Sequence, residues 1–457
     1  SMAAFQLQTH SITNSSIQAQ VNSVLQAALD AADPRAAVRA ALRREGSRVI
    51  TGGQTLDLDD YQHVFVTGAG KAVTSMAAGA QDVLDDRING GVLIAKHRIA
   101  GDSEPLQSAL AIRTGEHPVP GEGSLSATRE LVNLLSACRS GDLVVCLISG
   151  GGSALLTLPQ PDISLDDIQE LTRLLLASGA TIAEINSLRK HLDQVKGGGL
   201  ARFAHPARLV TLVLSDVVGS PLSAIASGPT VADPTTYADA LAVLDRYSIA
   251  ERVPGAVRWA LEEGHLGFRP ETMKPGDPLL DSALTVLAGS NQQSAQAAVE
   301  AARRAGFQAQ VLTTYLQGEA RQVGEVLGGI LRQCAESGDP LPRPACLVAG
   351  GETTVTLRGD GLGGRNQELA LGAVEMLAGV ERAMLITLAT DGEDGPTDAA
   401  GAVVTGETAA RAAAQNLNPR QFLTENNAYA LFHVLDDLVR PGPTGTNVND
   451  LAFLFTW

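Results

Sequence analysis

The chain contains 457 residues, too many for one ordinary hydrophobic core, so its length predicts two or three domains. Hydrophobic residues make up 44% and charged residues 18% of the sequence, a composition typical of globular proteins and not of disordered ones. The formal net charge of −16 argues against nucleic acid as a partner, because a phosphate backbone requires basic surfaces. An acidic protein that binds a phosphorylated ligand must place a few cations locally or recruit a metal.

The first half of the chain repeats a unit made of a β-branched run, a turn and an amphipathic helix. After an apolar helical stripe at residues 15–29, strands are predicted at residues 64–67, 92–94, 143–148 and 209–214, and helices at residues 71–86, 125–137 and 165–177. Ser164 and Asp167 have the spacing of a capping box at the start of the last of these helices. Strands that alternate with helices predict an α/β fold whose parallel sheet carries helices on both faces.

A stretch rich in proline, glycine and charge at residues 262–278 indicates a linker or a long loop. Beyond it the same pattern resumes, with strands at residues 284–288, 309–313 and 346–349 and helices at residues 292–305, 319–335 and from about 367. We therefore expect an N-terminal domain at residues 1–275 and a second α/β domain at residues 276–457.

Two segments of the first half combine a strand end with glycines. In the first, Gly68 and Gly70 allow the backbone to approach a ligand, and Lys71 stands at a helix start, although the segment is neither a Walker A motif nor a dinucleotide fingerprint. A tight turn with a solvated lysine is the alternative. The second segment presents successive backbone N–H groups suited to phosphate or carboxylate, and consists of Ser149, Gly150, Gly151, Gly152 and Ser153.

A third segment combines basic residues with an acid at a strand end. Arg189, Lys190 and Lys196 are either a solvated face or part of a site. Asp216 follows a predicted strand, a position suited to a metal ligand or to a base for a hydroxyl group.

A fourth segment lies in the second half. Arg365 stands between glycines and a helix start, where a guanidinium can grip a phosphate in a bidentate manner. Asp391, Glu393 and Asp394 offer the oxygen ligands that Mg²⁺ prefers, unless they form a solvated acidic loop.

The four cysteines show no CxxC spacing and are expected to be buried free thiols in the reducing cytoplasm. The sequence has neither an apolar run of membrane-spanning length nor a signal-peptide pattern, so a cytoplasmic protein without a membrane partner is expected.

Seven motifs in order together resemble the class II glycerate kinases: GAGK, SGGGSALL, INSLRKHLDQVKGGGLA, SDVVGSPLSAIASGPTVADP, GGETTVTLRGDGLGGRNQELAL, ATDGEDGPTDAAG and TGTNVNDL. The resemblance covers nearly the whole chain, roughly residues 17–455. The resemblance implies a Rossmann-like N-terminal domain followed by a MOFRL domain, with the active site in the cleft between them. It also implies ATP- and Mg²⁺-dependent phosphorylation of D-glycerate at its 2-hydroxyl, with Lys71 and Arg365 lining the cleft.

On this reading Lys71, Arg365 and Asp216 are the catalytic residues. The glycines of the first two segments hold ATP with Ser149 and Ser153, and Asp216 and Asp391 are the metal candidates. Two alternatives stay open: an NAD(P)-dependent hydroxypyruvate reductase, although the glycine turn before Lys71 is not a GxGxxG fingerprint, and a non-catalytic metabolite-binding protein of the same fold. The oligomeric state is also open, with a homodimer among the alternatives.

Overall fold

A computed structural model describes residues 6–96 and 105–457 of the chain. The chain divides into two compact units, a central unit at residues 37–288 and a split unit that joins residues up to 36 with residues 289–457. This division differs from the expected one in two respects. The boundary follows residue 288 and not residue 275, and the N-terminal segment belongs with the C-terminal part of the chain.

The elements are numbered here in chain order. The strands are β1 Arg43–Glu45, β2 Arg48–Thr51, β3 Gln54–Asp57, β4 His63–Ala69, β5 Ile88–Ala95, β6 Leu110–Thr114, β7 Asp142–Ile148, β8 Arg208–Leu214, β9 Ala283–Gly289, β10 Gln308–Leu316, β11 Ala345–Gly351, β12 Ala383–Ala389, β13 Gly401–Thr405, β14 Leu438–Val439 and β15 Asp450–Thr456. The α-helices are α1 His10–Thr13, α2 Gln18–Ala32, α3 Pro34–Ala41, α4 Val73–Leu84, α5 Glu122–Ser136, α6 Gly152–Leu155, α7 Leu165–Ala177, α8 Ile182–Leu192, α9 Gly199–Ala204, α10 Tyr237–Arg246, α11 Gly255–His265, α12 Asn291–Arg304, α13 Ala320–Ser337, α14 Arg365–Leu377, α15 Thr408–Ala414, α16 Pro419–Thr424 and α17 Ala428–Val434. Short 3₁₀ helices occur at Leu58–Asp60, Asp85–Arg87, Ile225–Ser227 and Pro278–Ser282.

The central unit is built on a six-stranded sheet in the order β6-β5-β4-β7-β8-β9. The pairs from β6 through β8 are all parallel, and every residue of β7 is buried. A continuous apolar run such as this one is what a parallel strand covered on both faces requires. The helices α4 and α5 pack on this sheet, so the predicted α/β fold with a parallel sheet flanked by helices is confirmed.

The split unit contains a second six-stranded sheet, in the order β10-β11-β15-β12-β13-β14. Among its described strands, β10 and β11 pair in parallel and the other pairs are antiparallel. The helix α2 packs on α12 through Val21, Leu25 and Leu29, which share a core with Ala298 and Phe453. The apolar stripe of the first long helix is therefore buried in the split unit.

The predicted elements are found close to their predicted positions. The helix α7 has the predicted bounds, and Ser164 and Asp167 form the complete capping box that their spacing predicted. All four cysteines are buried free thiols, as expected. Among the described residues, no helix is both long enough and apolar enough to cross a bilayer.

Candidate active site

Three neighbouring strands of the central unit end at one edge of the parallel sheet, and each is followed by a predicted motif. The strand β4 leads to Lys71, and β8 leads to Asp216. The strand β7 leads to Ser149 and then to Gly150, Gly151 and Gly152, which are called the glycine run below. The registers of β4 with β7 and of β7 with β8 align the ends of the three strands. Ligands of open α/β sheets bind at this carboxyl edge.

The loops after β4 and β7 interlock. A Cβ atom on Gly70, whose φ is +143°, would lie 2.0 Å from the Ser149 Oγ. That hydroxyl accepts a hydrogen bond of 3.0 Å from the amide of Ala72, and the Lys71 amide donates to the Gly150 carbonyl over 2.8 Å. Gly70 and the buried Ser149 side chain therefore maintain the shape of the loop.

Gly68 has a packing role of the same kind. A Cβ atom there would lie 2.0 Å from the carbonyl oxygen of Leu147, on the neighbouring strand. Gly68 thus keeps β4 and β7 together and lies within the sheet.

The carboxylate of Asp216 packs directly on Gly150. A Cβ atom on Gly150 would lie 2.3 Å from Asp216 Oδ2, so a glycine is required at this position. A carboxylate oxygen is therefore placed against the glycine run that was predicted to hold anionic oxygens.

Lys71 and His117 lie on the other side of the same loop. A Cβ atom on Gly151, whose φ is +85°, would lie 3.2 Å from Lys71 Cγ and 3.1 Å from His117 Cδ2. Burial, reinforced by the positive charges of Lys71 and Lys96, lowers the pKa of His117 to about 4. His117 is neutral near pH 7, and nothing in its local sequence predicted a place at the site.

A partly buried chain of hydroxyl and amide groups continues from the glycine run. Ser153 Oγ and Ser227 Oγ are 2.8 Å apart, and Ser227 Oγ donates to Asn186 Oδ1 over 2.9 Å. Ser227 has a φ of +61°, an uncommon conformation for a residue with a side chain. Ser153 is thus positioned by α8 through Ser227 and Asn186.

Of the basic residues in the third segment, two are buried in ion pairs. Lys190 Nζ lies 3.6 Å from Asp233 Oδ1. Lys196 Nζ lies 3.4 Å from Asp193 Oδ2 and donates to the Leu156 carbonyl over 2.7 Å. The alternative that these two lysines form a solvated face is wrong. Burial lowers the pKa of the half-buried Arg189, which has no hydrogen bond or ion pair with any described residue.

In the split unit, Arg365 opens α14 and is held by two carboxylates. Its Nε donates to Asp450 Oδ2 over 2.5 Å, its Nη2 to Asp450 Oδ1 over 3.3 Å, and its Nη1 lies 3.1 Å from Glu352 Oε1. These contacts orient the guanidinium and occupy three of its five N–H groups. Burial raises the pKa of Asp450 to about 6, although Arg365 opposes the shift.

Asp394, one of the acids expected to suit Mg²⁺, caps α14 instead. Its Oδ1 accepts from the amide and side chain of Asn366 over 3.0 and 3.1 Å, and its Oδ2 from the amide and side chain of Gln367 over 2.9 and 3.0 Å. The carboxylate therefore satisfies N–H groups at the start of the helix. Burial nevertheless raises its pKa, against the effect of these hydrogen bonds.

The two metal candidates of the sequence lie in different units. Asp391 follows β12 in the split unit, where its Oδ1 accepts from the amide of Glu393 over 3.0 Å. Within residues 6–96 and 105–457, no group of three or more His, Cys, Asp or Glu side chains forms a metal site. Mg²⁺ in nucleotide enzymes is held through one or two carboxylates plus phosphate oxygens, a mode that the carboxylate of Asp216 beside the glycine run fits.

A cavity of about 680 Å³ opens beside Arg365 in the split unit. Its walls include the backbone of a glycine-rich loop at residues 359–364, the side chains of Val355 and Leu357, and the buried carboxylate of Glu368. The volume lies in the range of ordinary small-molecule sites. Glu368 was not singled out from the sequence.

Two family models match the chain: "Domain of unknown function (DUF4147)" over residues 20–262, and the MOFRL family over residues 345–450. A glycerate 2-kinase from Pyrococcus horikoshii is 43% identical over 426 residues, covering 93% of this chain and 94% of the relative. The chain belongs to the class II glycerate kinase family. The family resemblance read from the seven motifs is thereby confirmed.

Members of this family carry more than one name. A protein from Agrobacterium vitis called a putative hydroxypyruvate reductase is 42% identical, over 84% of this chain and 85% of the relative. The crystal structure of glycerate kinase from Thermotoga maritima matches with a TM-score of 0.85 at 39% identity, covering 97% of this chain and 100% of that one. This class II glycerate kinase family member therefore also shares the fold of a solved glycerate kinase.

Proposed function

We propose that the protein is a kinase that transfers the γ-phosphoryl group of ATP to the 2-hydroxyl of D-glycerate, giving 2-phosphoglycerate and ADP. The observation that carries the proposal is the similarity to glycerate kinases over nearly the whole chain, in sequence and in fold. The hydroxypyruvate reductase alternative is not favoured, because the glycine turns that follow β4 and β7 lack the GxGxxG spacing of a dinucleotide site. That spacing does occur at Gly359, Gly361 and Gly364, but it begins eight residues after the end of β11 and not directly after a strand.

The edge of the central unit is suited to phosphoryl transfer, which depends mainly on positioning and on neutralising charge. The backbone N–H groups of the glycine run would hold anionic oxygens, and Lys71, exposed beside Gly151, would supply positive charge to the transferring phosphoryl group. The 2-hydroxyl oxygen of glycerate would attack the γ-phosphorus while its proton passes to the Asp216 carboxylate or to water. The bond between the γ-phosphorus and the bridging oxygen would break, and ADP would leave with that oxygen.

Asp216 is the residue that we assign to the metal or to the acceptor hydroxyl. Its carboxylate contacts the glycine run, where it would either hold Mg²⁺ together with phosphate oxygens or orient the 2-hydroxyl. When bound, Mg²⁺ would neutralise phosphate charge that this acidic protein offers few cations to balance.

We further propose that Arg365 acts on the same phosphoryl group as Lys71. Its guanidinium is fixed by Asp450 and Glu352, and two N–H groups remain beyond those three contacts. A preorganised cation of this kind stabilises developing charge without reorganising during the reaction. The test is kinetic and is set out in the Discussion.

The decisive experiment is an ADP-release assay over a panel of short hydroxy acids, with phosphorus NMR of the product. We expect turnover to be highest with D-glycerate and the phosphorus signal to be that of 2-phosphoglycerate. Finding 3-phosphoglycerate as the sole product would refute the regiochemistry. Oxidation of NADH in the presence of hydroxypyruvate, without ADP release, would favour the reductase. Binding of glycerate and ATP without turnover would identify a metabolite-binding protein.

A further inference from the structure

The wall of the cavity beside Arg365 includes a buried glutamate that has one unsatisfied carboxylate oxygen. Glu368, on α14, is only 2% exposed and lines the cavity. Its Oε1 accepts from Asn426 Nδ2 over 2.8 Å and lies 3.5 Å from Arg321 Nη2, whereas its Oε2 has no hydrogen-bond partner within residues 6–96 and 105–457. Leaving such an acceptor unpaired is costly, and a hydrogen-bond donor on a ligand in the cavity would satisfy it.

The charges around the cavity indicate what kind of ligand it would take. Besides Glu368, its lining carries the carboxylates of Glu352 and Asp360 and a single cation, Arg365. Because Glu352 and Asp450 already bind that guanidinium, the cavity has an excess of negative charge. A small hydroxy acid would be repelled by it, whereas a neutral group that donates hydrogen bonds would be accepted.

The walls also favour a ligand with a flat apolar surface. Val355, Leu357 and Pro396 line the cavity, and Leu357 is 77% exposed. An uncovered leucine beside a glycine-rich loop gives an aromatic ring a surface on which to pack. The volume of about 680 Å³ is ample for a nucleoside.

We propose that this cavity binds the nucleoside of the ATP, with Glu368 Oε2 accepting a hydrogen bond from the adenine amino group or from a ribose hydroxyl. The inference rests on the proposed function in one respect, namely that ATP is the phosphoryl donor. Arg365, at the rim of the same cavity, would then lie on the phosphate side of the nucleotide.

The test measures nucleotide binding without glycerate, so that it does not depend on turnover. Wild type and Glu368→Gln are titrated calorimetrically with ADP, with IDP, which carries a carbonyl in place of the adenine amino group, and with 2′-deoxy-ADP. The glutamine keeps an oxygen for Asn426 and replaces Oε2 with an N–H donor. The matched control is Glu375→Gln, the same charge change at an exposed residue of α14 that pairs with Arg420.

We expect wild type to bind ADP about 10- to 100-fold more tightly than the analogue that lacks the required donor. This is the ratio of dissociation constants that follows from the loss of one hydrogen bond to a charged group. In Glu368→Gln, ADP binding should weaken by a similar factor and that preference should disappear, while Glu375→Gln behaves like wild type. A loss of preference against IDP identifies the amino group as the donor, and a loss against 2′-deoxy-ADP identifies the ribose hydroxyl.

Equal wild-type affinity for the three diphosphates, or no ADP binding at all, would overturn the proposal without the use of any variant. If Glu368→Gln does not fold, Leu357→Ser serves instead, because that side chain is exposed, and unchanged ADP affinity in it would also overturn the proposal. A protein that shows the expected binding pattern but does not phosphorylate glycerate would refute the proposed function and leave this inference intact.

Discussion

Replacing Asp394 with asparagine distinguishes a helix cap from a metal ligand in the acidic loop after β12. The carboxylate is 2% exposed and accepts four hydrogen bonds, two on each oxygen, from Asn366 and Gln367. An asparagine can keep only two of them, and its NH₂ group then faces two donors. Two lost hydrogen bonds to a charged group, at about 1.5–3 kcal/mol each, lower the free energy of unfolding by about 3–6 kcal/mol.

The assay is thermal unfolding of the ligand-free protein in EDTA and again with Mg²⁺. For a unit of this size the predicted loss lowers Tm by roughly 10 °C in both conditions. Glu393→Gln is the control, since it makes the same charge change at an exposed position of the same loop. If Asp394→Asn melted like wild type in EDTA and lost only a stabilisation by Mg²⁺, Asp394 would be a metal ligand and the capping assignment would be wrong.

Three further predictions concern catalysis. Lys71→Met and Arg365→Met should each reduce the initial rate of phosphorylation by about 10²–10³. The double variant should lose less than the product of the two single losses, because both cations would act on one phosphoryl group. Fully multiplicative losses would show that the two residues do not act on the same group. Burial raises the pKa of Asp450 to about 6, so its ion pair with Arg365 should form as pH rises through that value. The pH–rate profile should therefore show an ionisation near pH 6 that Asp450→Asn removes. An identical profile in the variant would assign the ionisation to ATP or to another group. The stability of the fold should change in the opposite direction with pH. Because the pKa of Asp450 is raised in the folded state, its contribution to the free energy of unfolding is present below the unfolded pKa of about 4 and is lost as pH rises through about 6. Turnover should vanish in EDTA and return with Mg²⁺ or Mn²⁺, and undiminished activity in excess chelator would contradict the metal role given to Asp216 and Asp391.

The elements that could be predicted from the sequence are those governed by local interactions. The helix α7 begins where the Ser164 side chain caps it, and its apolar periodicity runs to its end, so both of its bounds were predictable. The grouping of Lys71, the glycine run and Asp216 was also predictable, because adjacent parallel strands deliver their loops to the same edge.

The features that escaped prediction depend on partners distant in sequence. The apolar stripe of α2 was recognised, but nothing in its residues shows that Leu25 and Leu29 pack with Ala298, almost 270 residues later. In the same way the acidity of Asp394 suggested a metal ligand, because a sequence shows a carboxylate and not the N–H groups that surround it.

The start of α14 shows how four consecutive side chains acquire different roles from their surroundings. Arg365 is oriented by Asp450 and Glu352, and Asn366 and Gln367 are hydrogen-bonded to Asp394. Glu368 has one oxygen without a partner in the part of the chain that the structure describes. Carboxylates are tolerated here in spite of their burial because the N–H groups at a helix start and its positive dipole end compensate part of the desolvation. Substitutions along this motif should consequently differ in kind: loss of charge stabilisation at Arg365, loss of stability at Asn366 and Gln367, and altered nucleotide preference at Glu368.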